Sequence, residues 1–343
     1  MKVGLLTGGG DCPGLNAVIR AVVQQLANGG ASCLGILEGW RGLVQNMTSP
    51  LSVATTEGII SQGGSILGSS RTNPYRNPES DLAALRDNFA RLELNALIVI
   101  GGDDTLGVAI RLHNDFGIPV VGIPKTIDND LAVTDFSFGF DTAVNIVTEA
   151  VDRLRTTAES HRRIMVVETM GRHSGWIACF AGIATGADYI LVPEVPIDLQ
   201  HLIGILSNRR AAGKKYGLVI VAEGAKFPDQ APLTLGQHPD PFGNLRLGGI
   251  GGVIADAIAK QTGVETRSVA LGHLQRGGSP SASDRILATR MGLAAGRLAL
   301  EKRFGTIVTL TGGQIVNSIM SQSSVATKTL DLAYYDEATA FFH

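Results

Sequence analysis

Short runs rich in Val, Ile and Leu alternate along this chain with longer amphipathic segments. Apolar runs of four to eight residues, bounded by glycine, are typical of parallel strands that are buried on both faces. The alternation therefore predicts βαβ units and an α/β protein with mainly parallel sheets. A chain of 343 residues is long enough for two domains rather than one.

The same periodicity places the individual elements. The predicted strands are 2–7, 32–37, 96–100, 119–123, 163–168, 188–192, 216–222, 267–271 and 306–310. The predicted helices are 15–27, 79–93, 105–116, 140–157, 174–184, 198–211, 249–261 and 282–300. The proline-containing stretch 225–248 has little periodicity, so we expect a surface excursion or hairpin there and not a linker between domains.

Composition excludes several classes of function. A net charge of −2 gives no electrostatic case for nucleic acid or an anionic membrane as partner. No apolar stretch reaches the length of a transmembrane helix. Cys12, Cys33 and Cys179 lack the spacing of metal ligands, and we expect buried thiols in a cytoplasmic protein.

Two polar motifs follow predicted strands, where open α/β sheets bind their ligands. Gly101-Gly-Asp-Asp-Thr105 follows one strand, and Pro124-Lys-Thr-Ile-Asp-Asn-Asp130 follows the next. Together they offer carboxylates, a lysine and a glycine pair. Carboxylates hold Mg²⁺ or deprotonate a hydroxyl, glycine lets backbone N–H groups approach a phosphate, and lysine neutralises it. The combination predicts phosphoryl transfer.

Within these motifs, single residues suggest roles. Asp103 is the candidate Mg²⁺ residue, acting through water, although an acid after a Gly-Gly turn is often only a helix cap. Asp128 can take the proton of an attacking hydroxyl while Lys125 steadies the charge of the transferred group. The alternative for this second motif is a turn rich in Asp and Asn.

A glycine-rich loop, Thr7-Gly-Gly-Gly-Asp-Cys-Pro-Gly14, joins the first strand to the first helix and predicts an anion site. It is not a dinucleotide fingerprint, because Pro13 stands where the third glycine is required, and a P-loop motif is absent from the sequence. A purely structural turn is the alternative. Arg71, at the end of a second irregular loop, is a further candidate for the phosphate site.

Further candidates lie near the ends of later strands, and they suit a phosphorylated, hydroxyl-rich substrate. They are Glu223, the segment Met170-Gly-Arg172 and the segment Leu271-Gly-His-Leu-Gln-Arg-Gly-Gly-Ser-Pro280, which holds His273 and Arg276. Taken singly, each arginine is a candidate surface ion-pair partner and His273 a structural histidine.

The order and spacing of these motifs resemble the phosphofructokinase family over nearly the whole chain. The resemblance implies Mg²⁺-dependent phosphoryl transfer to the 1-hydroxyl of fructose 6-phosphate. It also implies two α/β/α sandwich domains with the active site in the cleft between them. We expect the donor domain to comprise 1–140 plus 277–325, and the sugar-phosphate domain 141–276 plus 326–343.

The resemblance also implies site residues. The expected catalytic residues are Asp128, as the general base, Lys125 and Asp104. The expected donor-binding residues are Gly9, Gly10, Arg71, Asp104 and Lys125, and the expected metal residue is Asp103. The expected sugar-phosphate residues are Thr126, Ile127, Asp128, Met170, Gly171, Arg172, Glu223, His273, Leu274, Gln275 and Arg276, together with Arg163 and Arg267, which reach over from a neighbouring subunit of a homodimer or homotetramer.

The donor is expected to be pyrophosphate. Common ATP-dependent bacterial members carry glycine where Asp104 and Lys125 stand, and this pair resembles the family's pyrophosphate-dependent branch. A carboxylate at 104 would repel the α-phosphate of a nucleotide. The alternatives are an ATP-dependent member that tolerates Asp104, a nucleotide or lipid kinase with the same Gly-Gly-Asp loop, and a non-catalytic regulatory subunit that binds sugar phosphate.

Overall fold

The computed structural model describes residues 1–236 and 239–343. The strands are β1 (Lys2–Thr7), β2 (Ser32–Ile36), β3 (Thr48–Leu51), β4 (Ala96–Gly101), β5 (Val120–Pro124), β6 (Ile164–Thr169), β7 (Tyr189–Leu191), β8 (Gly217–Ala222), β9 (Thr266–Ala270), β10 (Thr306–Thr311) and β11 (Gln314–Ile319). The α-helices are α1 (Leu15–Asn28), α2 (Trp40–Gln45), α3 (Val53–Thr56), α4 (Ala83–Arg91), α5 (Asp103–Phe116), α6 (Phe140–His161), α7 (Trp176–Thr185), α8 (Leu199–Ala211), α9 (Ile250–Thr262), α10 (Ala282–Leu300) and α11 (Leu332–Thr339).

The strands form two sheets. The large sheet has the order β11-β10-β5-β4-β1-β2-β3, in which β3 and β11 pair antiparallel at the two edges and the other pairs are parallel. The small sheet has the order β7-β8-β6-β9 and is entirely parallel. This confirms the predicted α/β fold with mainly parallel sheets, arranged as two domains.

The parallel strands are buried because helices cover both faces of the sheets. Every residue of β4, β6 and β8 is buried, as their continuous apolar runs predict. In the large sheet β1 lies between β2 and β4. The next strands in the chain, β2 and β3, lie on one side of β1, whereas β4 and β5 lie on its other side. The strand order therefore reverses at β1, and the loops that follow β1 and β4 lie next to this switch point. Open α/β sheets bind ligands at such points.

All the predicted strands are present, and none of their ends is shifted by more than one residue. The elements that the periodicity missed are short or half-exposed, namely α2, α3, α11, β3 and β11. The helix predicted over 79–93 is shorter than expected. A turn of π-helix at Pro78–Leu82 precedes α4, which begins at Ala83.

All strands of the large sheet fall within 1–140 plus 277–325, and all strands of the small sheet fall within 141–276. We propose these ranges as the domain limits for that reason, with 326–343 added to the second. Within the described residues, none of the helices has both the length and the apolar character needed to cross a membrane.

Candidate active site

The described residues line a cleft of about 510 Å³. One wall, the large-sheet side, consists of residues that follow β1, β4 and β5, together with Arg71. The other wall, the small-sheet side, consists of the last residues of β6 and residues that follow β6, β8 and β9. A third element, the 239–247 segment, also lines the cleft. Both sheets therefore present the carboxyl ends of their strands to one cavity.

The glycine-rich loop after β1 lets an arginine from the opposite wall come close. A Cβ atom placed on Gly10 would lie 1.8 Å from Nη1 and 2.8 Å from Cζ of Arg276. The guanidinium thus lies directly against the backbone of Gly10, and any side chain at this position would displace it. Nε of Arg276 is buried and has no hydrogen-bond partner among the described residues.

Lys125 contacts the same loop. Its side chain is buried, and Nζ donates a hydrogen bond to the carbonyl oxygen of Gly10 at 2.5 Å. Burial lowers the pKa of Lys125, since the charged ammonium loses its hydration. A lysine held in this way brings a positive charge to the cleft with little freedom of movement.

The turn over 126–130 is held by several hydrogen bonds. The hydroxyl of Thr126 accepts from the backbone N–H of Asp128, and Ser137 Oγ donates to the carbonyl of Thr126. Asn129 has a left-handed backbone (φ 51°), and its side-chain oxygen accepts from Ser137 N and from Lys328 Nζ. Asparagine tolerates this conformation better than most residues. The turn therefore presents Asp128 in a defined position.

Asp128 is the most distinctive acid of the cleft. It is 4% exposed, and Oδ1 is buried without a hydrogen-bond partner among the described residues. Burial raises the pKa of Asp128 to about 6, against the opposing positive charge of Arg276. A buried acceptor without a partner is rare in native proteins, and a catalytic role is one of the explanations for it. A carboxylate with this pKa is suited to take a proton near neutral pH.

Other acids gather on the same wall. Burial and the nearby charge of Asp103 raise the pKa of Asp104 to about 6. Burial, with the charges of Asp128 and Asp103, raises the pKa of Asp130 to about 7. Nη1 of Arg172 lies 3.5 Å from a carboxylate oxygen of Asp103 and reaches it from the opposite wall. The carboxylates of this wall therefore outnumber its own lysine and arginine.

An excess of carboxylate suits a divalent cation, and Asp103, with 42% of its side chain accessible, is a candidate to hold one. Among the described residues, no three His, Cys, Asp or Glu side chains lie close enough to form a complete protein-only metal site. Mg²⁺ usually binds one or two carboxylates and takes its other ligands from water and substrate phosphates, so Asp103 is a residue that could hold it.

The small-sheet side is organised by two glutamates. Glu223 follows β8, and Oε1 accepts from the backbone N–H of Arg172; burial raises the pKa of Glu223. Glu168, within β6, accepts from the backbone N–H groups of Gly249 and Gly251 at the start of α9. Glu168 thus ties the end of the 225–248 stretch to the small sheet, as an acid near a helix N-terminus commonly does.

This arrangement matches known proteins. A model of the phosphofructokinase family matches residues 2–299. The chain belongs to the phosphofructokinase family. A relative named pyrophosphate–fructose 6-phosphate 1-phosphotransferase, from Amycolatopsis methanolica, is 52% identical over all of both chains. A relative named ATP-dependent 6-phosphofructokinase 3, from Streptomyces coelicolor, is 45% identical over 98% of this chain and 99% of its own.

A solved phosphofructokinase has the same fold. The structure of Pichia pastoris phosphofructokinase in the T-state superposes with a TM-score of 0.84 at 32% identity. The match covers 99% of this chain and 36% of that longer chain. The two-sheet architecture is therefore that of the family.

Most of the site residues expected from the sequence line the cleft of this phosphofructokinase. On the large-sheet side these are Gly9, Gly10, Arg71, Asp103, Asp104, Lys125, Thr126, Ile127 and Asp128. On the small-sheet side they are Met170, Arg172, Glu223, His273 and Arg276. Motifs separated by more than a hundred residues in the sequence thus meet in one cavity.

Five expected residues, all within the described chain, do not line the cleft. Gln275 is buried, and its side-chain oxygen accepts from Met170 N. It therefore fixes the backbone of a cleft residue without lining the cleft itself. Leu274 is 69% exposed, and Gly171 accepts a backbone hydrogen bond from Ser174. Arg163 and Arg267 lie at the amino ends of β6 and β9, on the opposite edge of the small sheet.

The sequence did not predict that the third element, the 239–247 segment, lines the cleft. The 225–248 stretch is an excursion as expected, with an antiparallel bridge between Thr234 and Leu247; its residues 237–238 lie outside the described residues. However, its 239–247 segment contacts the large-sheet side, since Nδ2 of Asn244 donates to Asp104 at 3.1 Å. Irregular, proline-rich sequence carries no periodic signal that could have placed it there.

Proposed function

We propose that this phosphofructokinase transfers a phosphoryl group from pyrophosphate to the 1-hydroxyl of fructose 6-phosphate, reversibly, giving fructose 1,6-bisphosphate and phosphate. The observation that carries the proposal is the buried, unpartnered Oδ1 of Asp128 in the cleft. In the forward step the hydroxyl proton passes to Asp128 while the sugar oxygen forms a bond to phosphorus. The P–O bond of pyrophosphate breaks, and the leaving phosphate keeps the bonding electrons.

Lys125 and Arg276 are the cations placed to stabilise the charge that moves in this step. Lys125 is tied to the carbonyl of Gly10, and Arg276 lies against the same glycine from the other wall. Positive groups fixed in advance beside a transferring phosphoryl group need no rearrangement during reaction. We therefore assign the donor phosphates to the space between Gly9, Gly10, Arg71 and Lys125.

Asp104 supports pyrophosphate as the donor. Two unit charges about 4 Å apart interact by roughly 4 kcal/mol at an effective dielectric near 20. Even discounted severalfold for solvent, a carboxylate at position 104 disfavours a third phosphate strongly, whereas pyrophosphate has none to place there. The full-length relative with the pyrophosphate-dependent name is 52% identical, and the ATP-dependent relative is 45% identical.

Mg²⁺ fits the proposal. Asp103 would hold the ion together with water and donor phosphate oxygens, and the carboxylate excess of this wall supports that assignment. When bound, Mg²⁺ supplies positive charge that offsets the charge of the donor phosphates. Arg172, which reaches Asp103 from the opposite wall, orients that carboxylate.

The small-sheet side would bind the sugar phosphate. Met170, Glu223 and His273 line it, and Gln275 holds the backbone of Met170 in place. Glutamate and histidine side chains suit sugar hydroxyls, and Arg172 and Arg276 suit phosphate. Fructose 6-phosphate would then place its 1-hydroxyl towards Asp128.

Arg163 and Arg267 lie away from this chain's own cleft, and both form ion pairs with Glu265 at 2.8 Å. Their position at the far edge of the small sheet supports a role in the active site of a neighbouring subunit. We propose a homodimer or homotetramer on this basis. The three cysteines are buried and unpaired, which supports a cytoplasmic location.

The test is the initial rate of the purified chain with fructose 6-phosphate and Mg²⁺, with pyrophosphate and ATP compared in parallel. We expect turnover with pyrophosphate and little with ATP. Turnover with ATP alone would identify the ATP-dependent alternative, for which the 45% identical relative is the supporting observation. Absence of turnover with either donor, with sugar phosphate still bound, would identify a non-catalytic regulatory subunit.

A further inference from the structure

The 239–247 segment connects the two walls of the cleft. At its base, Thr234 and Leu247 pair antiparallel, and Leu235 N donates to the carbonyl of Arg246. Glu168 of the small sheet binds Gly249 just beyond. The segment is thus anchored on the small-sheet side, and it lines the cleft from there.

The other end of the segment contacts the large-sheet side. Phe242 packs among the apolar side chains on one face of the large sheet. Oδ2 of Asp240 accepts from Nη1 of Arg71 at 2.8 Å, and Asn244 donates to Asp104. Two of the residues assigned to the donor, Arg71 and Asp104, are therefore held by this segment.

Asp240 also builds the turn that carries these contacts. Its second oxygen, Oδ1, accepts from the backbone N–H groups of Phe242 and Asn244 at 2.9 and 3.0 Å. The carboxylate is mostly buried, with 13% of the side chain exposed, while the arginine is half exposed. One oxygen thus serves the turn and the other serves Arg71, so the two functions can be separated by mutation.

We propose that Asp240 and Asn244 are positioning residues for the donor site, Asp240 setting donor affinity and Asn244 donor selectivity. Asp240 holds Arg71 at the rim of the cleft until a donor phosphate replaces the carboxylate, and Asn244 keeps the carboxylate of Asp104 directed at the donor. The proposal rests on the proposed function, because it uses Arg71 and Asp104 as donor-contacting residues. It adds that selectivity depends on a segment outside the family's glycine-rich and aspartate motifs.

In this proposal, Asp240 and a donor phosphate compete for Arg71. Arg71 forms its ion pair with Asp240 or its hydrogen bonds with a phosphate, and the carboxylate also repels an anionic donor. Removing the charge of Asp240 should therefore raise affinity for the donor. Asn244 acts in the other direction: without its N–H donor, Asp104 is free to turn away, and the repulsion that excludes a nucleotide weakens.

The experiment measures kcat and KM for pyrophosphate, ATP and fructose 6-phosphate in the wild type and four variants. Asp240→Asn keeps an oxygen for the turn but removes the charge. We expect the KM for pyrophosphate to fall about two- to fivefold, the range that a half-exposed ion pair gives. Asn244→Ala should lower the ratio of kcat/KM for pyrophosphate over ATP by a similar factor. The KM for fructose 6-phosphate should not change.

The matched control is Asp229→Asn, which makes the same charge change at an exposed residue of the same stretch that does not line the cleft. Asp240→Glu should restore the wild-type KM. Unchanged donor constants in both Asp240→Asn and Asn244→Ala, or equal changes in Asp229→Asn, would overturn the inference. A wild type that uses ATP alone would instead contradict the proposed function, so the two failures are distinguishable.

Discussion

The two walls of the cleft are built alike but charged differently. Each consists of residues at the carboxyl ends of parallel strands. The large-sheet side carries five aspartates against one lysine and one arginine: Asp11, Asp103, Asp104, Asp128, Asp130, Lys125 and Arg71. The small-sheet side has two glutamates, and its arginines at 172 and 276 extend towards the opposite wall.

This difference indicates how phosphoryl transfer is divided between the sheets. In the proposed reaction the acidic wall would provide the base and the place for a metal ion, but its one lysine and one arginine are outnumbered by its aspartates. The opposite wall would add two arginines, and Arg276 can approach the loop after β1 because Gly10 has no side chain. Neither wall holds all of the residues assigned to the site, which agrees with a site between two domains.

The largest effect is expected from the base itself. Asp128→Asn keeps the shape but cannot accept the hydroxyl proton, so kcat should fall by about 10²–10⁴. The KM for fructose 6-phosphate should change little, since the loss is in the transition state. Steady-state kinetics check this. Near-normal kcat would show that Asp128 is not the base.

The contact between the walls is tested by Gly10→Ala. The new Cβ would lie 1.8 Å from Arg276 Nη1, so the guanidinium must move. A misplacement of about 1 Å can lower kcat/KM by roughly 10²-fold. Gly107→Ala, in α5, is the control because nothing lies within 4 Å of its Cβ. If both variants kept full activity, the crossing arginine would not matter for catalysis.

Donor choice on the acidic wall is tested by Asp104→Gly. Without the carboxylate, the repulsion of a third phosphate disappears, so kcat/KM for ATP should rise about tenfold, which corresponds to roughly 1.4 kcal/mol. Use of pyrophosphate should weaken. The readout is the ratio of kcat/KM for the two donors. An unchanged ratio would refute the argument from charge repulsion.

The smallest effect concerns stability. The pKa of Asp130 is raised to about 7 from an unfolded value of 3.8, so the folded protein binds an extra proton between these values. The stabilising effect of that proton is full below pH 3.8 and is lost as pH rises through 7. Asp130→Asn should therefore raise Tm of the metal-free protein by about 1–3 °C at pH 8.

At pH 5 this gain should be clearly smaller, because Asp130 is then protonated in the folded wild type and only the part of the effect between pH 3.8 and pH 5 remains. Thermal unfolding at both pH values makes the comparison, with Asp152→Asn, at an exposed position of α6, as the control. The same gain in Asp130→Asn at pH 5 and pH 8 would show that charge repulsion on this wall is not its cause.

Much of the site could be predicted from the sequence because its residues directly follow apolar strands. Asp103, Lys125, Asp128 and Glu223 all stand at such positions, and parallel strands bring their carboxyl ends to one edge. Arg276 was also predicted as a site residue, but its contact with Gly10 was not. That contact joins residues far apart in sequence, and no local pattern encodes it.

The 239–247 segment shows the limit most clearly. Its prolines and glycines predict irregular backbone, which is correct. Irregular backbone has no periodicity, so the sequence does not indicate which part of the protein the segment contacts. The contacts of Asp240 with Arg71 and of Asn244 with Asp104 exist only because the two sheets face each other.

The sequence by itself determined the class of fold, the order of the strands along the chain and the chemistry available at their ends. These follow from local periodicity and residue type. Only the tertiary structure decided which side chains meet across the cleft, which of the described ones remain without partners, and which irregular segment lines the cleft. Those properties depend on how two sheets pack, and packing is set by contacts summed over the whole chain rather than by any one motif.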